Sequence, residues 1–193
     1  ERTITMLNTL LQLLCENPII AAIREKEDLD VVIDSPVNTV FILGGDILEL
    51  GNDVSRILQS GKYVFVHMDL VEGIGKDAAG VKYLAQRIKP SGLISTRHHL
   101  LKHGSDEGLI TIQRMFLVDS SSFQSGIRLL QTSQPDLVEV MPGLVPKAIK
   151  SLQRQVRQPV IAGGMITSKE DIIHALQAGA LAVSTSNKDL WFA

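Results

Sequence analysis

A single cysteine, Cys15, leaves the chain unable to form an internal disulfide or a cysteine-built zinc cluster. It falls in an apolar helical stretch, where a thiol is expected to be buried and inert. Aromatic residues make up only 4% of the 193, so the core has to be built from Val, Ile, Leu and Ala. That is the palette of a parallel sheet covered by helices. Neither sign of charge dominates, with 19 Lys and Arg against 21 Asp and Glu. The balance excludes a protein that coats nucleic acid by bulk charge, although it leaves room for a local basic patch. No apolar run approaches the length needed to cross a bilayer. The Met6–Leu14 run lacks the basic start and small-residue cleavage site of a signal peptide, and Asn8, Thr9 and Gln12 interrupt it. A soluble, cytoplasmic protein is the expectation.

What the chain does have is 45% hydrophobic residues, enough for a substantial core, at a length that fits one domain spanning 1–193. Short β-branched runs alternate with helical patterns throughout. The expected strands are Ile19–Ile23, Thr39–Gly44, Tyr63–Asp69, Gly92–Arg97, Leu109–Phe116, Leu137–Met141, Val160–Gly164 and Leu181–Ser184. Between them, Val81, Leu84, Ala85 and Ile88 recur at helical spacing, as do Val145, Ala148, Ile149 and Leu152. Pro146 suits a first helical turn, Thr167 to Glu170 has capping-box spacing, and Gly61 and Gly179 suit left-handed helix ends. Eight βα units predict an α/β fold of the closed (β/α)8 TIM-barrel type, since closure leaves no exposed sheet edge. An open doubly wound sheet is the alternative. Leu7, Leu10, Leu11 and Leu14 share a helical face ahead of the first strand, and the expected use of that helix is to cover the barrel's N-terminal mouth.

Parallel α/β folds bind ligands beyond the carboxyl ends of their strands. Polar residues gather there: His67 and Asp69, Arg97, Arg114, Glu139, Gly163-Gly164, and Ser184-Thr185-Ser186-Asn187. Strand ends also meet water by default, which accounts for part of this polarity. The last two sets carry the sharpest signal. Two glycines end strand seven, and three hydroxyls with an amide end strand eight ahead of a short helical stretch. Phosphate sites in such barrels are commonly built from those two loops and a helix N-terminus. Gly163, Gly164, Ser184, Thr185, Ser186 and Asn187 are therefore the candidate phosphate ligands. His67, Asp69, Arg97, Arg114 and Glu139 are expected to face the rest of the ligand. His98, His99 and His103 match no tight zinc spacing, and nothing requires a metal or cofactor.

The residues Asn17-Pro18-Ile19-Ile20-Ala21-Ala22, Val66 to Gly73, Gly92 to Arg97, Val140-Met141-Pro142-Gly143, Ile161 to Gly164 and Ser184 to Asn187 carry a resemblance. Over essentially its whole length the chain resembles the glycerol-3-phosphate-responsive antiterminators, the regulators of glycerol-uptake operons. The Gly-Gly and hydroxyl segments recur in many phosphate-binding barrels; the His67–Gly73 and Ile94–Arg97 segments are more specific to the family. The resemblance implies a regulator that binds glycerol 3-phosphate and then the untranslated leader mRNA, so that transcription passes a terminator. It supplies no motif for the RNA contacts. Candidates for those are Lys147, Lys150, Arg154 and Arg157, which recur at i, i+3, i+7 and i+10 opposite Ala148, Ile149 and Leu152. A solvated helix face explains the same spacing. Assembly into a homo-oligomer stays open.

Two other classes share the expected phosphate site. A phosphosugar isomerase or aldolase-like barrel would use His67, Asp69 and Glu139 for proton transfer. Schiff-base chemistry has no lysine at these strand ends, Lys62 being at the opposite end of its strand. A ligand sensor with a protein partner fits the residues as well.

Overall fold

A computed structural model describes residues 2–193. It is a closed barrel of eight parallel strands in sequence order: β1 Ile19–Ile23, β2 Thr39–Ile42, β3 Tyr63–His67, β4 Gly92–Ser95, β5 Ile110–Phe116, β6 Leu137–Met141, β7 Val160–Gly163 and β8 Ala182–Thr185. Pairing of Ile20 with Ser184 closes β1 onto β8. Helix α1 (Arg2–Glu16) precedes the barrel. Seven helices follow β1 to β7: α2 Asp28–Asp34, α3 Ile47–Gln59, α4 Ala78–Tyr83, α5 His98–Asp106, α6 Ser120–Ser133, α7 Pro146–Gln155 and α8 Lys169–Gln177. The eighth unit ends in a short 3-10 helix, Lys188–Phe192.

The core has two compartments because each strand alternates its faces. Outward residues such as Ala21, Val40, Val66, Val138 and Val183 pack under the helices, with Leu50, Val81, Ile149 and Leu152 on the helix side. Inward residues such as Ile20, Phe41, Phe65, Ile94, Ile112, Leu137 and Ile161 fill the barrel, and Leu10 and Leu14 of α1 join them from below. The N-terminal helix therefore closes the barrel floor, as its leucine spacing predicts. Leu14→Ala would open a cavity against that floor, and a stability loss of about 2–5 kcal/mol in urea denaturation is expected.

Several expectations need correction. Cys15 is exposed, because one helical step turns it about 100° from the buried Leu14. The capping box of α8 lies one residue later than predicted: Ser168 is the N-cap and Asp171, not Glu170, completes it. Strand β3 stops at His67, and Asp69 lies in a 3-10 turn from Met68 to Leu70. Val145 precedes α7 as its N-cap and is 43% exposed, so it does not continue the Ile149–Leu152 stripe. Helix α7 ends at Gln155 and Val156 is extended, which takes Arg157 out of the helical row of Lys147, Lys150 and Arg154. The left-handed ends at Gly61 (φ 81°) and Gly179 (φ 105°) and Pro146 in the first turn of α7 agree with expectation.

Candidate functional site

Continuing the inward faces of the strands to their carboxyl ends brings His67, Arg114, Glu139, Gly163 and Ser184 to the top layer of the barrel. Arg114 and Glu139 are neighbours in the β5–β6 register, and the Arg114 Nε–H donates to Glu139 Oε2 at 2.6 Å. The Ser184 hydroxyl donates to the other carboxylate oxygen, also at 2.6 Å. All three residues are buried. Gly163 makes this possible, since a Cβ there would stand 2.5 Å from both Glu139 Oε1 and Ser184 Oγ. Gly164 is glycine for a second reason: its φ is +76°, and a Cβ would press on the Met141 methyl at 2.7 Å.

A second group assembles on the β3–β4 side. Asp69 Oδ2 accepts from the Ser95 hydroxyl and from the Thr96 N–H, each at 2.9 Å. Arg97 Nε lies 3.3 Å from Asp69 Oδ1. The His67 Nδ1 is 3.6 Å from Asp69 Oδ2, too far for a hydrogen bond, and has no partner among the described residues. Burial, reinforced by the Arg114 charge and opposed by Asp69, pushes the imidazole down from 6.5 to about 4. His67 is therefore neutral at pH 7.

Above the Arg114–Glu139–Ser184 group lies a cavity of about 440 Å³. Gly164, Met165, Ile166 and Thr167 line it from the loop after β7, and Ser184 to Asn187 from the end of β8. Arg114, Met141, Ala22, Leu43 and Arg24 complete the wall. The two loops are laced together. The Thr185 hydroxyl donates to Ile166 O at 2.8 Å, the Asn187 amide donates to Thr167 O at 3.0 Å, and Asn187 Oδ1 accepts from the Asp189 N–H at 3.1 Å. The Trp191 indole N–H fastens the 3-10 helix to Thr185 O at 2.9 Å. Thr185 and Asn187 are thus already committed to shaping the wall, whereas Ser186 is exposed at its rim.

Of the predicted ligand residues, Gly164, Ser184, Thr185, Ser186, Asn187 and Arg114 share this cavity wall. Glu139 and Gly163 stand behind it, and His67, Asp69 and Arg97 form the adjoining cluster. Sequence reasoning missed Arg24. It is exposed, lines the cavity, and has no ion-pair partner among the described residues. Its signal was available: it lies two residues beyond Ala22, on the inward parity of β1. The cations of α7 are elsewhere, on the outer wall. Lys147, Lys150 and Arg154 are exposed there, Arg157 lies in the loop that follows the helix, and none forms an ion pair among the described residues. No group of three or more His, Cys, Asp or Glu is placed to hold a metal ion among the described residues.

The architecture and this mouth define a (β/α)8 barrel with a cavity of mixed polar and apolar lining at the carboxyl ends of its last strands. A model of the family described as glycerol-3-phosphate responsive antiterminator matches residues 19–191, and the chain belongs to that family. It is 38% identical over 182 residues to the uncharacterized protein YgcP of Escherichia coli K12, covering 94% of this chain and 95% of that one. The crystal structure of the glycerol uptake operon antiterminator regulatory protein of Listeria monocytogenes superposes with a TM-score of 0.88 at 34% identity, over 91% of this chain and 95% of that one. A glycerol uptake operon antiterminator-related protein of Thermotoga maritima superposes with a TM-score of 0.80 at 30% identity, over 90% and 96% of the two chains. Aldolases match at 14% and 18% identity, a level that shows shared architecture and nothing about activity. Among the described residues no helix is long and apolar enough to cross a membrane.

Proposed function

We propose that this chain is a cytoplasmic sensor that binds glycerol 3-phosphate in the 440 Å³ cavity and then engages the leader mRNA of a glycerol-uptake operon. The observation that carries the ligand half is the charge of the wall: Arg24 lines it without an ion-pair partner among the described residues, Arg114 lines it paired with Glu139 behind, and no carboxylate lines it. Such a wall favours an anion. The phosphate sits against Gly164 and the Ser184–Asn187 turn within reach of Arg24, with Gly163 giving the Glu139–Ser184 bond its space behind. Arg114, held by Glu139, faces the glycerol end, and the neighbouring His67–Asp69–Arg97 cluster borders it. Exposed cations on α7 supply phosphate contacts for RNA.

The arrangement also weighs against proton-transfer chemistry. Both oxygens of Glu139 are engaged by Arg114 and Ser184, and Asp69 Oδ2 is held by Ser95 and Thr96. A histidine with a pKa of about 4 is neutral at pH 7 and a poor proton donor. The two carboxylates are thereby charge-compensated rather than poised as an acid–base pair.

Thermal melts with glycerol 3-phosphate and with glycerol test the ligand half. Glycerol 3-phosphate is expected to raise the melting temperature and glycerol to leave it unchanged. Because a hydrogen bond to a charged group contributes about 1.5–3 kcal/mol, Arg24→Ala should weaken glycerol 3-phosphate binding about tenfold or more in calorimetry. Equal stabilisation by both compounds, or an Arg24→Ala variant of unchanged affinity, contradicts the reading.

A further inference from the structure

We propose that the groove between α6 and α7 is the seat of single-stranded RNA, with phosphates along α7 and bases turned into the groove. The proposal rests on the regulator reading above and adds a place and a mode of contact to it. Neighbouring helices pack closely at α4–α5 and α7–α8, but α6 and α7 stand apart. The gap contains two cavities, an upper one of about 420 Å³ near the helix N-termini and a lower one of about 580 Å³ near their C-termini. Gln155 lines both, so the groove runs the height of the barrel wall.

Its chemistry changes along its length. The upper part presents Val118, the half-buried Phe123 and Val145, with Asp119 and Lys147 at the edge. Val118 is 84% exposed, so this apolar surface faces open water. The lower part presents the amides of Gln131, Gln134 and Gln158 beside Arg157, with the Gln155 amide donating to Ser151, over a floor of Leu130 and Val156. Side-chain amides read the edges of bases, and an aromatic face stacks on them.

The charge around the groove complements nucleic acid although the whole chain is slightly acidic. Two cations, Lys147 and Arg157, line the groove against one carboxylate, Asp119, and Arg154 is exposed on α7 between them. That carboxylate caps α6, where it accepts from the Ser122 N–H at 2.7 Å. Cations thus outnumber carboxylates along the groove. That favours a polyanion over an apolar peptide.

The groove also touches the ligand site through one loop. Met141 lines the ligand cavity and its carbonyl accepts from the Leu117 N–H at 2.8 Å, while the Gly143 N–H donates to Gly164 O at 3.2 Å. Leu117 and Val145 line the upper groove. An anion settling beside Gly164 therefore bears on the segment that shapes the groove's upper end, which gives the two sites a physical connection.

The test is titration of the leader transcript of the glycerol-uptake operon in the chain's own genome, with glycerol 3-phosphate present, across a range of salt concentrations. Gln131→Ala combined with Gln134→Ala should weaken binding at least about fivefold and leave the salt dependence unchanged, since amides contact bases. Lys147→Glu combined with Arg157→Glu, the two cations that line the groove, should weaken it more and flatten the salt dependence by about two phosphate contacts. These residues are exposed, and unchanged thermal melts would confirm folding. Wild-type binding together with unaltered variants overturns the groove assignment and leaves the regulator reading standing. Variants that change the oligomeric state but not RNA affinity assign the groove to a second copy of the chain and overturn it too. If the wild-type chain binds no RNA with or without glycerol 3-phosphate, the regulator reading fails and the proposal with it.

Discussion

Replacing Glu139 by alanine is expected to destabilise the fold by about 3–5 kcal/mol, because it strands the Arg114 guanidinium as an unpaired charge inside the barrel. The pair is buried, so solvent screening offers little relief: the Arg114 side chain is 5% exposed and that of Glu139 0%. Such a loss is a large share of the ~5–15 kcal/mol that holds a typical domain together. Combining Glu139→Leu with Arg114→Met removes both charges together, and most of the lost stability should return. Urea denaturation of the two variants checks both statements. A loss below about 1 kcal/mol for the alanine variant would mean that Arg114 finds water or another carboxylate, contrary to the buried geometry. The double variant should fold yet lose glycerol 3-phosphate binding, because the ion pair supports the floor of the cavity.

The second large effect is on pH dependence. In the unfolded chain His67 titrates near 6.5, whereas in the folded chain it titrates at about 4. Between those values the unfolded chain binds more protons. Stability is therefore highest above about pH 6.5 and falls as the pH drops toward 4. From pH 7 to pH 4.5 the loss from this group is about 2 kcal/mol. A His67→Gln variant lacks that component, so its denaturation midpoint should change less over the same interval. Asp119 and Asp171 are held below the ordinary carboxylate range, mainly by backbone N–H donors of their helix caps. The stability they lend is lost at more acidic pH, below the His67 window. Identical pH profiles for the wild type and His67→Gln would contradict the burial argument.

Much of the architecture was legible from periodicity alone. Every expected strand overlaps an observed one, because inward and outward residues of a parallel barrel are both apolar and the glycine, proline and polar breaks between runs are sharp. The floor helix was legible for the same reason, through Leu10 and Leu14. What failed were details that depend on a single residue of phase. Cys15 was expected to share the burial of its neighbours, yet a helix buries a stripe and not a segment. Arg157 was counted into α7 although the helix ends two residues earlier.

The site was legible in kind and incomplete in its members. Gly164 and Ser184–Asn187 do share one wall, as strand order implies. Apart from its strand parity, Arg24 carries no local mark of a site, because it opens a charged run with Glu25, Lys26, Glu27 and Asp28 that reads as a solvated turn. Pairing of Arg114 with Glu139 depends on the β5–β6 register, which no local pattern reveals. Thr185 and Asn187 read as ligand donors in one dimension, whereas in three their polar atoms fasten the two loops that form the wall. The α6–α7 groove was not legible at all, since the separation of two neighbouring helices follows from packing on the barrel and not from either helix alone.

The central claim is that one metabolite pocket governs RNA binding, and a titration of the operon's leader RNA with and without glycerol 3-phosphate tests it most directly. Tight, salt-dependent binding that glycerol 3-phosphate strengthens and glycerol does not is the predicted result. RNA affinity indifferent to glycerol 3-phosphate, measured on a chain that calorimetry shows to bind it, would contradict the account.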